Sequence, residues 1–206
     1  TEKFGPLGDQ RYKGYLTDIQ TSGKHLMEIT SGLLDLARMQ AGKLEMDFTQ
    51  VVPSSIIEQC VSIMQEEANR MNILIRTDLH DDLPHIVADQ GALRQIILNL
   101  LSNSIKFSKP GSQIIISTQL DPNGEVVINV SDTGIGMNKE ELKQALEPFS
   151  QTARGKKATK VSGTGLGLPL SKALAEANRA KFELSSSPKK GTTAKIIFPN
   201  SRVLTD

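Results

Sequence analysis

Between residues 93 and 107 (LRQIILNLLSNSIKF), Leu93, Ile96, Ile97, Leu100, Leu101 and Ile105 recur at three- and four-residue steps. That repeat predicts a helix with one buried face. Gln95, Asn99, Asn103 and Lys106 stand at i, i+4, i+8 and i+11 of the same stretch, so they share a second, polar face. Carboxamides and an ammonium on an otherwise apolar helix need partners, because a buried polar group left unpaired costs free energy. The stripe faces either water or something rich in oxygen. Glycine-rich segments further along the chain favour the second.

A different repeat runs over residues 10–40. Tyr12, Ile19, Leu26 and Leu33 take one heptad position, and Tyr15, Ser22, Ile29 and Leu36 take the other. So narrow a seam predicts a helix that packs in a bundle or coiled coil with another chain, the alternative being a surface helix on its own domain. Gly42 is the stop signal. The chain is therefore divided into an interaction helix, residues 1–43, and a globular domain, residues 44–206. In that domain the patterning predicts strands over 44–52, 73–79, 85–88, 113–120, 126–131, 181–185 and 192–198. It predicts helices from Pro53 to about Met71, from the capping residue Asp89 to Phe107, over 139–146 and over 166–178. Three main helices and a mixed sheet of about five strands imply an α+β two-layer sandwich with the helices on one face.

Composition narrows the function. In 206 residues, 24 basic side chains face 23 acidic ones, so no basic surplus points to nucleic acid. Tryptophan is absent, which removes the usual platform for base stacking. No apolar run approaches the ~20 residues of a membrane span. A single cysteine, Cys60, lies in an apolar-periodic run, where an inert core residue is the expected reading. A cytoplasmic location follows as an expectation, with any membrane anchor elsewhere in a larger parent.

Two glycine-bearing segments carry candidate chemistry. Asp132-Thr133-Gly134-Ile135-Gly136-Met137 follows a strand, and there a carboxylate can accept from a ligand amine while the backbone bends closely around it. The same residues equally fit a tight turn whose aspartate bonds its own backbone. Gly163-Thr164-Gly165-Leu166-Gly167-Leu168 opens a helix after the polar, basic stretch 151–162. Alternate glycines let backbone N–H groups converge on an anion at a helix N-terminus. The spacing is neither the Rossmann fingerprint nor a Walker A loop.

With the asparagine helix, these segments resemble, in order and spacing, the boxes of the Bergerat-type ATP-binding domain of bacterial sensor histidine kinases. Residues 99–107 resemble the N box, 132–137 the G1 box, Glu147-Pro148-Phe149 the F box and 163–168 the G2 box. Residues 12–42 resemble the second helix of the dimerisation and histidine-phosphotransfer hairpin. The opening FGPLGDQRYKGY and the ending RVLTD look most like the alphaproteobacterial cell-cycle kinases of the PleC, DivJ and PdhS kind.

The resemblance implies a site and a reaction. Asn103 would bind Mg²⁺ through its amide oxygen, with Asn99 supporting the ion or its waters, and Lys106 would neutralise phosphate charge. Phe107 would pack beside the nucleotide, Asp132 would accept from the adenine amine, and Gly134 and Gly136 would admit the ring edge. Gly163, Thr164, Gly165, Leu166, Gly167 and Leu168 would wrap the phosphates of ATP, with Phe149 anchoring the lid. Arg154, Lys156, Lys157 and Lys160 read as a solvated basic loop that could reach phosphate. Related ATPases place a glutamate where Asn99 stands, and an asparagine is no general base. Phosphoryl transfer to a histidine on the hairpin is therefore favoured over hydrolysis, for relay to a response-regulator receiver domain. A homodimer through the 10–40 helix is implied.

The pattern also departs from the family. No histidine has the flanks of an H box: His25 sits in Ser-Gly-Lys-His-Leu, and His80 and His85 look structural. The acceptor is thus expected before residue 1. Arg179-Ala180 stands where many members carry Gly-Gly. A nucleotide-binding pseudokinase or docking module, or a Bergerat-fold ATPase, remains the alternative.

Overall fold

The computed structural model describes residues 10–40, 44–150 and 164–204. Helix α1 (Gln10–Gln40) leads to β1 (Phe48–Val51), α2 (Pro53–Arg70), β2 (Leu74–Asp78) and β3 (His85–Asp89). Next come α3 (Gln90–Phe107), β4 (Gln113–Leu120), β5 (Val126–Asp132), α4 (Lys139–Ala145) and α5 (Gly167–Ala177). The chain closes with β6 (Lys181–Ser187), β7 (Gly191–Phe198) and β8 (Val203–Leu204).

Local chemistry sets these boundaries. Pro53 opens α2 with its fixed φ and no N–H to satisfy. Asp89 caps α3, one oxygen accepting from Ala92 N–H at 2.8 Å and the other from Asp47 N–H at 2.9 Å. Asn138 and Glu141 form a capping box at the start of α4. Asn178, fully buried, ends α5 and accepts from the Asp89 backbone N–H at 2.7 Å, tying the end of one helix to the start of another.

The main sheet has five strands in the order β2-β4-β5-β7-β6; β2 and β4 are parallel and the other pairs antiparallel. Side chains alternate between its faces, so Ile75, Ile114, Ile116, Ile128, Val130, Ile196 and Phe198 form one buried layer. The apolar stripes of α2 (Ile56, Ile57, Cys60, Met64) and α3 close over it. All six apolar positions that define the α3 repeat are buried. This is the two-layer α+β sandwich that the patterning implied. Cys60 is fully enclosed, and burial pushes its thiol up to about 11, so it remains a protonated core residue.

The structure adds a second, three-stranded sheet, β1-β3-β8, beside the helices. The strand expected over 44–52 is confined to Phe48–Val51, and β8 was not foreseen. Two residues are too few to show a period, and β8 exists only through its pairing of Val203 with Ile86 and Leu204 with His85. No helix among the described residues is long and apolar enough to cross a membrane.

Candidate functional site

Asp132 ends β5 at the edge of the buried layer. Its Oδ1 accepts from the Gly134 N–H at 2.8 Å and the Thr192 N–H at 3.2 Å, while Oδ2 accepts from the Ser104 hydroxyl at 3.3 Å. Burial raises its pKa above the ordinary aspartate range, and the bonds from Gly134, Thr192 and Ser104 oppose that rise. The aspartate bonds its own turn, and Oδ2, with one neutral donor, keeps further acceptor capacity.

The glycines around Asp132 are sterically required. A Cβ on Gly134 would lie 2.6 Å from the Phe107 carbonyl oxygen, where the turn docks on the end of α3. One on Gly136, at φ +61°, would lie 1.9 Å from the Ser187 carbonyl oxygen. The Ile135 N–H donates to that same Phe107 carbonyl at 3.1 Å, so the turn and the end of α3 form one wall.

The polar stripe of α3 faces α5. Gln95 is exposed, whereas Asn99, Asn103 and Lys106 are half-buried. Gln95 Nε2 donates to Asn99 Oδ1 at 3.2 Å, and Asn99 Nδ2 donates to the Ser171 hydroxyl at 3.5 Å. The Asn103 side chain has no hydrogen-bond partner among the described residues, and a Cβ on Gly167 would come within 3.3 Å of its Nδ2. Lys106 holds its ammonium 5.5 Å from the centre of the Phe107 ring.

Gly165, at φ +71°, turns the chain into α5, and its carbonyl accepts from the Phe149 N–H at 3.1 Å. That bond ties Phe149 to Gly165 through the backbone, while the Phe149 ring is itself exposed. Thr164 Oγ1 accepts from the Leu166 N–H at 3.2 Å. Among the described residues no side chain caps the start of α5, so the N–H groups of Gly167 and Leu168 are open to an anion. Leu166 is buried, and α1 touches it at Gly32, where a Cβ would lie 3.3 Å from Leu166 Cδ1.

The structure thus brings Asn99 and Asn103 against the first turns of α5 at Ser171 and Gly167, and Asp132 and Gly134 against Ser104 and Phe107 at the end of α3. Gly163 and the basic residues Arg154, Lys156, Lys157 and Lys160 lie outside the described residues, as does the His25 side chain. His85 bonds Gln50 across β1 and β3, and the His80 N–H donates to Thr118, as structural residues do. The sequence reading missed Ser104 and Thr192. Ser104 carried a signal, since it lies at i+4 from Leu100 and i+7 from Ile97, on the apolar face, where a hydroxyl needs a partner. Thr192 carried none, because only the β5–β7 register brings it to Asp132.

Residues 88–202 match the model of the histidine kinase-, DNA gyrase B- and HSP90-like ATPases. The chain belongs to that family of ATP-binding domains. It is 48% identical over 212 residues to the cell-division control histidine kinase PdhS of Brucella suis, and 47% to that of Brucella melitensis. All of this chain is matched but only 20% of the relative, so it spans about one fifth of their length. Among solved structures, full-length ShkA in complex with AMPPNP superposes with a TM-score of 0.82 at 26% identity, over 98% of this chain and 41% of ShkA. The histidine kinase ThkA in complex with the response regulator TrrA shares the fold, with a TM-score of 0.72 at 20% identity over 94% and 53% of the two chains.

Proposed function

We propose that this chain is the nucleotide-binding part of a cytoplasmic two-component histidine kinase. It binds Mg-ATP and passes the γ-phosphoryl group to a histidine on a dimerisation hairpin, for relay to an aspartate of a response-regulator receiver domain. The observation that carries the reading is the Asn103 carboxamide, unbonded among the described residues and packed against Gly167 at the uncapped start of α5. A neutral oxygen donor beside free backbone N–H groups suits a hard cation that arrives with phosphate oxygens. Among the described residues no group of three or more His, Cys, Asp or Glu could hold a metal, so a cation here depends on the nucleotide for its charge partner. The residues present fit Mg²⁺ on those terms, and the ion when bound would neutralise phosphate charge.

Each residue then has a role. Asn103 holds the cation and Asn99 supports it or its waters. Lys106 neutralises phosphate charge, and Phe107 packs beside the nucleotide. Asp132 accepts from the adenine amine, with Gly134 and Gly136 keeping the backbone close. Thr164, Gly165, Leu166, Gly167 and Leu168, with Gly163 before them, receive the phosphates. Phe149 anchors the near end of the lid. Asn99 cannot take a proton from water near neutral pH, which favours transfer to a supplied nucleophile, chiefly through positioning.

Helix α1 completes the proposal. Its seam residues Tyr12, Tyr15, Ile19, Leu26 and Leu33 are exposed in the single chain, as a homodimer through residues 10–40 would require. The ThkA–TrrA complex supports the response-regulator partner.

Labelled ATP, this chain and a separately added hairpin bearing an H-box histidine test the transfer. Acid-labile label on the hairpin is the expected result. Nucleotide binding without transfer would favour the pseudokinase alternative, and steady ATP turnover without an acceptor would favour the ATPase.

A further inference from the structure

Ser171 lies one turn into α5 and is fully buried. A serine within a helix commonly bonds the carbonyl four residues back, here that of Gly167. Among the described residues the Ser171 hydroxyl makes no such bond, and its one partner is Asn99 Nδ2 at 3.5 Å. From the other side, Gln95 Nε2 donates to Asn99 Oδ1 at 3.2 Å. The Asn99 carboxamide is thus held at both ends, while the Asn103 carboxamide, one helical turn later, has no partner among the described residues. Two chemically identical groups on one stripe are treated differently.

From this contrast we infer that Ser171 is a positioning residue which, together with Gln95, fixes the amide plane of Asn99. The inference rests on the proposed Mg-nucleotide site. A carboxamide has an oxygen end that favours a cation or its waters and an amine end that opposes one. The two ends differ little in shape, so only hydrogen bonds decide which way the group turns. Ser171 meets the amine end and Gln95 the oxygen end, which leaves Oδ1 a second lone pair to offer a cation or its water. With Ser171 truncated, the amide can rotate and present its amine to the cation. Asn103 needs no such clamp if the cation itself orders it.

The effect belongs to the metal-dependent part of binding. Affinity for AMPPNP is measured by calorimetry with saturating Mg²⁺ and again in EDTA, for wild type, Ser171→Ala and Gln95→Ala. The expected result in Ser171→Ala is a fall of about three- to tenfold in the ratio of the two affinities, the scale of one hydrogen bond. Metal-free affinity and melting temperature should stay at wild-type values. Gln95, being exposed, can be truncated without disturbing the packing, and Gln95→Ala should move the ratio in the same direction. In the free protein, the Asn99 side-chain amide resonances should be dispersed in wild type and shift toward solvent-exposed values in Ser171→Ala. An unchanged ratio in Ser171→Ala, with wild type binding normally, would overturn the role of Ser171 alone. An equal loss with and without metal would also overturn it, by making Ser171 a packing residue. No binding by wild type under either condition would remove the site reading itself, and this inference with it.

Discussion

Helices α1 and α3 both carry a stripe of apolar residues beside polar ones, yet the fold treats them in opposite ways. In α3 every apolar position of the repeat is buried, and the polar face turns toward α5. In α1 the described seam positions stay open: Ile19 is 68% exposed, Leu26 62% and Leu33 45%. Near Gly32, α1 meets the sandwich against Leu166 at the start of α5. A stripe covered within its own chain marks a helix that organises a domain. A stripe left bare marks one that needs another surface, since water contact at such residues forfeits about 1.5–3 kcal/mol per large side chain.

Substitutions on the two helices should therefore differ in kind. The largest effect on stability belongs to α3: Leu101→Ala, at a fully buried position, should cost about 2–5 kcal/mol in a denaturant melt. A loss below about 1 kcal/mol would show that α3 is not the centre of the core.

Asp132 separates binding from folding on the polar side of the same helix. Its carboxyl pKa is raised in the fold, so the stability tied to this group is complete below the ordinary aspartate value and is lost as pH rises through the raised one. Asp132→Asn removes that ionisation while Oδ1 can still accept from Gly134 and Thr192. Melting temperature at neutral pH should hold or rise, whereas AMPPNP affinity should fall by about tenfold to a hundredfold, because an amine would face the adenine amine. In wild type, affinity should decline on acidification at a pH above the ordinary aspartate range. Affinity independent of pH down to that range would remove Asp132 from the site.

On α1, the double change Ile19→Lys and Leu26→Lys should abolish the dimer in analytical ultracentrifugation. It should move the stability of the sandwich by less than about 0.5 kcal/mol, as expected for exposed sites. A loss of several kcal/mol would mean that the seam packs on its own domain.

A small net effect is expected at Arg179. It adopts φ +58°, the left-handed conformation that favours glycine, and its guanidinium lies 5.8 Å from the Phe48 ring centre. Arg179→Gly relieves roughly 1 kcal/mol of backbone strain and forfeits a cation–π contact of about 0.5–1 kcal/mol, so net stability should change by less than about 1 kcal/mol.

Much of this organisation was visible before any coordinates. The apolar repeat of α3, the Asp89 cap and the Asp132 turn follow from local rules that the residues themselves obey. Arg179 is instructive from the other side: it stands where many family members have Gly-Gly, and the backbone there still takes the conformation suited to glycine. What escaped depends on distant pairing. The second sheet requires β8 to reach β3, the bond from Thr192 to Asp132 requires the β5–β7 register, and the clamp on Asn99 requires α5 to lie across α3. None of these leaves a periodic trace. Ser104 was readable but overlooked, a hydroxyl among Ile97, Leu100 and Leu101 whose partner is the site carboxylate.

The claim on which the rest depends is that the polar stripe of α3 meets a metal-nucleotide at Asn103. The direct measurement is a calorimetric titration of Mg-AMPPNP into wild type and Asn103→Ala, with melting curves for both. Asn103 is only half-buried and lacks partners among the described residues, so its truncation should leave melting unchanged and abolish measurable binding. Binding of Mg-AMPPNP to Asn103→Ala with wild-type affinity would contradict the assignment.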